Sequence, residues 1–133
     1  MFQRKVRINF YNCDPAGILF YGEIYKLAHE SYEVFLESLR MKIDYFASNE
    51  FVLPIIHSSA DYLKPMKTSE VFNCVISVTR LKESSFELTY DFERDSQIYS
   101  SVKTVHVCVS KKEFKKVKMP AELFEGLNAN LLQ

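Results

Sequence analysis

An aspartate and several turn-forming residues precede a long helical pattern in the stretch NCDPAGILFYGEIYKLAHESYE. Asp14 begins the turn, and a carboxylate can attack a carbonyl carbon or activate a water molecule. The first N–H groups of the following helix, around Tyr21 and Gly22, carry the positive end of the helix dipole and could hold a developing oxyanion. Thioester hydrolysis needs a group that attacks the carbonyl or activates water and a group that stabilises the negative oxygen, and these residues could supply both. Taken alone, however, the residues favour a simpler interpretation, in which Asp14 only closes a turn.

Other reactive side chains favour structural interpretations. His57, Ser59 and Asp61 have the residue types of a hydrolytic triad. Residues two apart on a strand lie about 7 Å apart, too far for direct hydrogen bonds, and no GxSxG motif is present. Cys13 would need a neighbouring base to act as a nucleophile. A single histidine on a helix, such as His29, is more often structural, although it could also shuttle protons.

Composition limits the classes of partner. The chain has 17 basic and 17 acidic side chains, so its formal net charge is zero. We therefore expect neither nucleic-acid binding nor a polybasic membrane anchor. The run KKEFKKVK, Lys111–Lys118, is interpreted as a solvated hairpin that could also attract phosphates.

Cysteine usage and hydropathy suggest a location. The three cysteines are odd in number and widely spaced, without a CxxC motif, so we expect neither a disulfide nor a zinc site. No leader and no apolar run of membrane-spanning length is evident. We expect a cytoplasmic protein with a single domain over residues 1–133.

The elements that position Asp14 follow from hydrophobic periodicity. Lys5–Phe10 alternates and predicts a half-buried strand, with Val6, Ile8 and Phe10 on the buried side. Gly22–Leu39 has the period of a helix, with an apolar stripe wider than a surface helix needs. Ile43–Asn49 predicts a short helical turn.

The second half of the chain reads as strands. We predict four strands from Phe51 onward, including Glu70–Leu81, an alternating stretch around Phe86, and Gln97–Ser110, followed by a helix over Ala121–Leu131. This order predicts an α+β fold, with an antiparallel β-sheet wrapped around one long central α-helix. The wide apolar stripe and an exposed sheet edge predict self-association.

The DPAG block, followed by two apolar residues, an aromatic residue and a long helix, resembles the hotdog-fold thioesterases of the 4-hydroxybenzoyl-CoA type. The resemblance implies the hotdog fold over nearly the whole chain. It implies that Asp14 is the catalytic carboxylate, as nucleophile or general base, and that the Tyr21 backbone N–H polarises the thioester carbonyl. Gly17 belongs to the same catalytic loop. No metal or other cofactor is implied, because CoA is part of the substrate.

Three further blocks, AHESYEVFLESL, FVLPIIHSSADYLKP and VHVCV, are similar to the 1,4-dihydroxy-2-naphthoyl-CoA hydrolases. This similarity implies an aromatic acyl-CoA substrate in menaquinone or phylloquinone biosynthesis, and a homodimer or homotetramer. The chain departs from many relatives at Cys13, where they have Thr, and at Lys82, where they have Gly. The residues that we expect to contact the substrate are Tyr11, Phe20, His29, His57, Ser59, Arg80, Lys82 and Ser85.

Several alternatives stay open. The substrate could be a 4-hydroxybenzoyl-type or a short- or medium-chain acyl-CoA, or the protein could bind acyl-CoA without catalysis. A sensor would need an output domain, and no helix-turn-helix segment precedes Phe10. A hotdog hydratase or dehydratase would pair Asp14 with a histidine five residues later, and Leu19 occupies that position.

Overall fold

Alternating apolar residues build an antiparallel sheet that packs against one long helix. The computed structural model describes residues 1–133. The elements are β1 (Phe2–Arg7), α1 (Glu23–Ser38), β2 (Phe51–Val52), β3 (Ile55–Tyr62), β4 (Val71–Leu81), β5 (Ser85–Arg94), β6 (Gln97–Val107), β7 (Val109–Ser110) and α2 (Ala121–Asn128). The main sheet has five strands in the order β1-β4-β5-β6-β3, each pair antiparallel, and a separate two-stranded sheet joins β2 to β7.

The core lies between α1 and one face of the sheet. On β5 the residues of one face, from Phe86 to Phe92, are fully buried, and those of the other face are more exposed. From α1, Ile24 and Phe35 reach the same core with no exposed surface. Burial of large apolar side chains is the main stabilising contribution to such a fold. The α+β prediction of an antiparallel sheet around a long helix is confirmed.

The first strand differs from its prediction. β1 ends at Arg7, and a 3-10 turn follows at Phe10–Asn12, closed by the Asn12 N–H donating to the Asn9 carbonyl oxygen. Ile8 is buried as expected, but Phe10 is 81% exposed. The prediction that Lys5–Phe10 is one strand with Phe10 inside was therefore wrong at its end, because the chain turns before Phe10 can enter the core.

The predicted helical turn at Ile43–Asn49 was wrong as well. Side chains bind several of its backbone N–H groups, and one turn is closed by the backbone, where the Ala47 N–H donates to the Asp44 carbonyl oxygen (3.1 Å). The Asp44 carboxylate accepts from the Phe46 N–H (2.9 Å), and the Glu122 carboxylate accepts from the Lys42 N–H (2.8 Å) and the Ile43 N–H (3.1 Å). The segment forms a single hydrogen-bonded turn and no helix.

The later strands are more numerous than predicted. The predicted stretch Gln97–Ser110 divides into β6 and β7, and Phe51–Val52 forms its own short strand, so six strands follow α1 rather than four. The last helix ends at Asn128, before the predicted Leu131. A two-residue strand is too short to show a period in sequence.

One edge and one helix side stay uncovered in the single chain. Nearly all of β3 is exposed, and it forms one edge of the five-stranded sheet. Tyr25 and Val34 on α1 are also more than a third exposed. No helix is both long and apolar enough to cross a membrane.

Candidate active site

The turn that carries Asp14 is a tight hairpin formed by the sequence DPAG. The Gly17 N–H donates to the Asp14 carbonyl oxygen (2.9 Å), and the Asp14 N–H donates to the Ile18 carbonyl oxygen (3.0 Å). Pro15 suits the second position because its φ is fixed. Ala16 has no positive φ, so the turn is type I, and Gly17 at φ 79° closes it in the left-handed region that glycine favours.

The hairpin is fixed against the segment that follows β3. The Leu19 N–H donates to the Met66 carbonyl oxygen (2.8 Å), and the Thr68 N–H donates to the Gly17 carbonyl oxygen (3.1 Å). A residue pair at Ile18 and Lys67 extends this antiparallel contact. The hairpin that carries Asp14 is therefore anchored to residues 66–68, which are distant in sequence.

A cleft of about 460 Å³ lies beside this hairpin. Asp14 and Lys64 are its charged side chains. Its walls are otherwise mostly apolar, which suits a largely apolar acyl group held by a few polar contacts. The lining residues are Asp14, Ile18, Leu19, Phe20, Tyr21, Tyr62, Leu63, Lys64, Pro65, Met66 and Ser100.

The polar groups of the site have unused hydrogen-bonding capacity. The Ala16 N–H donates to Asp14 Oδ1 (2.8 Å), while Asp14 Oδ2 accepts no hydrogen bond from the chain. The N–H groups of Tyr21 and Gly22, just before α1, donate to no acceptor in the chain. A carboxylate oxygen and helix-start donors are thus free for a ligand or water.

Tyr62 is a site residue that sequence reasoning missed. Its hydroxyl donates to the Tyr21 carbonyl oxygen (2.5 Å). Because a trans peptide is planar, fixing this carbonyl also fixes the Gly22 N–H, which points the opposite way. Burial raises the pKa of Tyr62, with smaller contributions from the nearby Tyr25 and Tyr21, so the hydroxyl keeps its proton near neutral pH.

Lys64 was missed in the same way. Its ammonium group lies 5.6 Å from the centre of the Tyr99 ring and supplies positive charge to the cleft. Both Tyr62 and Lys64 belong to the block FVLPIIHSSADYLKP that carries the family resemblance. The family resemblance of that block could have pointed to both residues, but the prediction assigned only earlier residues of the block to the site.

Of the predicted substrate contacts Phe20, Tyr11 and His29, only the first lines the Asp14 cleft. Phe20 lines the Asp14 cleft, and its ring centre is 5.0 Å from that of Tyr21. Tyr11 lies instead in a smaller cleft beside β1 and accepts a hydrogen bond from the Asn9 side chain (3.1 Å). His29 is half exposed on α1, with its ring 5.5 Å from that of Tyr32.

His57 and Ser59 lie on the sheet face that is turned away from α1. They pair with Val105 and Lys103, whereas the alternate residue Ala60 pairs with the core residue Val102. His57 and Ser59 are exposed on the edge strand and do not line the Asp14 cleft of the same chain. The prediction that His57, Ser59 and Asp61 share a face is consistent with this register.

Arg80, Lys82 and Ser85 lie at the opposite end of the sheet from Asp14. They form the β4–β5 hairpin, in which the Lys82 N–H donates to the Ser85 carbonyl oxygen (2.8 Å). The eleven residues of β4 separate that hairpin from the Asp14 end, about 33 Å at the usual rise per residue. Within one chain, the structure does not bring these residues to Asp14.

No three His, Cys, Asp or Glu side chains lie close enough together to hold a metal ion. The expectation that the reaction uses neither a metal nor a cofactor stays a prediction.

Comparison with known proteins decides the family. Residues 8–127 match the family model of the thioesterase-like superfamily. The chain belongs to this superfamily. It is 28% identical over 130 residues to the 1,4-dihydroxy-2-naphthoyl-CoA hydrolase of Nostoc punctiforme, covering 97% of this chain and 86% of that protein. It is 26% identical to the hydrolase of the same name from Synechococcus elongatus (strain ATCC 33912 / PCC 7942 / FACHB-805), with 95% and 93% covered.

Solved structures show the same fold. A 1,4-dihydroxy-2-naphthoyl-CoA thioesterase from Synechocystis superposes with a TM-score of 0.87 at 22% identity, covering 96% of this chain and 95% of that one. A gentisyl-coenzyme A thioesterase superposes with a TM-score of 0.83 at 22% identity, covering 95% and 99%. The predicted hotdog fold is therefore confirmed.

Proposed function

We propose that the protein hydrolyses an aromatic acyl-CoA thioester to the free acid and CoA, with 1,4-dihydroxy-2-naphthoyl-CoA as its substrate. The observation that carries the proposal is the cleft at the start of α1. Asp14 and Tyr21 both line it, and the N–H groups of Tyr21 and Gly22 at the helix start have no acceptor in the chain. Near-full-length similarity to hydrolases of this name supports the choice of substrate.

The proposed reaction adds water across the thioester. Asp14 either removes a proton from the attacking water or attacks the carbonyl carbon itself, forming an anhydride that water then hydrolyses. The carbonyl oxygen becomes negative as the tetrahedral intermediate forms, and the N–H groups of Tyr21 and Gly22 donate to it. The carbon–sulfur bond then breaks, and the CoA thiolate takes up a proton.

A single-ring hydroxyaromatic acyl group is the second candidate substrate. It is supported by the structural likeness to a gentisyl-coenzyme A thioesterase. Both candidates are flat aromatic groups, and Phe20 and Tyr21 supply partly exposed rings at the cleft. Such rings pack well against a flat acyl group.

We further propose a homodimer joined through β3, in the cytoplasm. β3 is an exposed edge strand, and free strand edges pair readily with another chain. Antiparallel pairing of two β3 strands would put the Ile55 end of one strand beside the Tyr62 end of the other. The β4–β5 hairpin, with Lys82, would then approach the Asp14 cleft of the partner subunit. Three cysteines without a disulfide support a reducing compartment.

Hydrolysis of a panel of thioesters tests the substrate proposal. We expect kcat/KM for 1,4-dihydroxy-2-naphthoyl-CoA to exceed that for palmitoyl-CoA by about 10²-fold. A rigid ring pair and an alkyl chain fill a pocket differently, and each unburied methylene-sized contact costs about 0.8 kcal/mol. Release of free thiol measures the rates, and gentisyl-CoA is the third member of the panel. Equal or faster hydrolysis of palmitoyl-CoA would contradict the aromatic assignment, and faster hydrolysis of gentisyl-CoA would select the second candidate. Binding without any hydrolysis would indicate a non-catalytic acyl-CoA-binding protein.

A further inference from the structure

Positive charge is concentrated in one short segment, Lys111–Lys118, which we term the lysine turn. Five of its eight residues are lysine and one is glutamate, so it carries a net charge of +4. The remaining 12 basic and 16 acidic side chains give the rest of the molecule a charge of −4. The expectation of no membrane partner was based on the zero net charge of the whole chain. That total conceals the local excess of positive charge in the lysine turn.

The lysine turn is a clamped hairpin with an aromatic residue at its end. The Ser110 N–H donates to the Lys115 carbonyl oxygen (2.8 Å), and the Val117 N–H donates to the Cys108 carbonyl oxygen (2.9 Å). Phe114 lies at the tip with φ 53°, a conformation that costs a non-glycine residue about 1 kcal/mol. Its side chain is 67% exposed and packs on no other aromatic ring.

Most of the turn's charge has no partner in the chain. Lys112, Lys115 and Lys116 are exposed and form no ion pair, whereas Lys118 pairs with Glu83 at 3.8 Å. Lys111 donates to the Ser48 carbonyl oxygen (3.3 Å), which fixes the base of the turn. The unpaired lysines surround the exposed ring of Phe114 in sequence and are free to meet an anionic surface.

We propose that the lysine turn docks the protein on the surface of an anionic lipid bilayer. Lysines near such a surface are attracted to the lipid phosphates, while an exposed aromatic side chain enters the interface between head groups and acyl chains. A convex turn with one apolar tip fits this layered surface. A nucleic acid would require cations spread along a track of phosphates, and these lysines are confined to one turn.

The docking surface is separate from the Asp14 cleft of the same chain. Ser100 of β6 lines that cleft, and the lysine turn follows the other end of β6 after Val107. Seven residues of strand separate these points, which is about 23 Å. Within one chain, docking through the turn therefore leaves the Asp14 cleft uncovered. With a single aromatic residue and a few lysines, the attachment is reversible and weakens with salt.

Vesicle sedimentation with the full chain tests the proposal. We expect binding to vesicles of 70% phosphatidylcholine and 30% phosphatidylglycerol, little binding to phosphatidylcholine alone, and release at high salt. The triple variant Lys112→Ala, Lys115→Ala, Lys116→Ala should lower the partition constant by about 10²-fold, because each lysine near the surface contributes about fivefold. Phe114→Gly should lower it by about tenfold. This second variant suits the left-handed backbone, so the turn should be retained.

A matched control removes the same charge elsewhere. The variant Lys5→Ala, Arg40→Ala, Lys42→Ala changes three exposed basic side chains outside the turn that form no ion pair and should bind vesicles within about twofold of the wild-type level. Equal loss in both triple variants, or no preference for phosphatidylglycerol, would overturn the proposal. So would a tenfold rise in KM for acyl-CoA in the turn variant, which would assign the turn to CoA. Turn-dependent binding of duplex DNA without vesicle binding would overturn it in favour of nucleic acid.

Discussion

The hydrogen bond from Tyr62 to the Tyr21 carbonyl oxygen sets the direction of a single peptide group at the start of α1. The Gly22 N–H belongs to that peptide, so Tyr62 acts on the proposed oxyanion through the backbone. We expect Tyr62→Phe to lower kcat by about fivefold with KM changed less than twofold, since one hydrogen bond contributes roughly 1 kcal/mol. Steady-state kinetics of thiol release measure both constants.

Tyr45→Phe is the matched control for this prediction. It also removes one tyrosine hydroxyl hydrogen bond, the one to Glu122 (3.2 Å), and Tyr45 does not line the Asp14 cleft. Its kcat should equal that of the wild type. Equal losses of kcat in the two variants would show that Tyr62 contributes only to general stability.

At the residue scale, local chemistry was predictable and distant contacts were not. The DPAG turn around Asp14 could be read directly, because Pro and Gly each fix a backbone conformation. Tyr62 and Lys64 reach the same cleft only because the chain returns along β3, and no local pattern encodes that approach. His57 and Ser59 were assigned by resemblance, and a single chain leaves them on the outer face. Their role stays a prediction.

At the scale of elements, a buried histidine links α1 to the sheet and to the segment before β3. The His106 ring stacks on Phe86 with ring centres 4.7 Å apart and lies 4.6 Å from the Tyr32 ring of α1. Its Nδ1 lies 3.4 Å from the Leu53 carbonyl oxygen, which only accepts, so Nδ1 carries the proton. Nε2 then accepts from the Thr104 hydroxyl (2.8 Å).

This arrangement makes stability depend on pH. Burial lowers the pKa of His106 to about 4, from an ordinary value of 6.5. Protonation therefore favours the unfolded chain, so the contribution is complete above about pH 6.5 and is lost as the pH falls toward 4, by on the order of 3 kcal/mol. Urea unfolding between pH 7.5 and 4.5 measures it. We expect His106→Phe to be less stable at pH 7.5 but to have a flatter pH profile. An unchanged slope in His106→Phe would contradict this origin.

Element types followed from periodicity wherever an element is long. α1 and the strands β4, β5 and β6 were identified because each buries one face at a regular spacing. The segment Ile43–Asn49 misled the prediction because it closes only one backbone turn, and the N–H groups at its start donate to the carboxylate of Glu122, about 80 residues away. Such a distant acceptor is invisible to a local pattern.

At the scale of the whole molecule, the proposed homodimer predicts that the β3 edge is required for activity. Ile56 on this edge is 64% exposed. We expect Ile56→Lys to give a monomer and to lower kcat/KM by more than tenfold, because a lysine in place of an apolar side chain on an edge strand opposes pairing with another chain. Light scattering measures the mass. Ile98→Lys is the matched control, since Ile98 is also exposed (40%) but lies on an interior strand, opposite Glu93. A fully active monomer would refute the composite site.

The central claim is that Asp14 performs the chemistry, and the turnover of Asp14→Asn tests it most directly. Asparagine keeps the turn-forming side-chain oxygen but removes the charge, and a positioned carboxylate contributes about 10²- to 10⁴-fold in rate. Asp44→Asn is the control, because Asp44 accepts the same type of local hydrogen bond (2.9 Å, from the Phe46 N–H) away from the cleft. With 1,4-dihydroxy-2-naphthoyl-CoA, we expect kcat of Asp14→Asn to fall by about 10²- to 10⁴-fold and kcat of Asp44→Asn to stay at the wild-type value. A folded Asp14→Asn protein with wild-type turnover would contradict the mechanism.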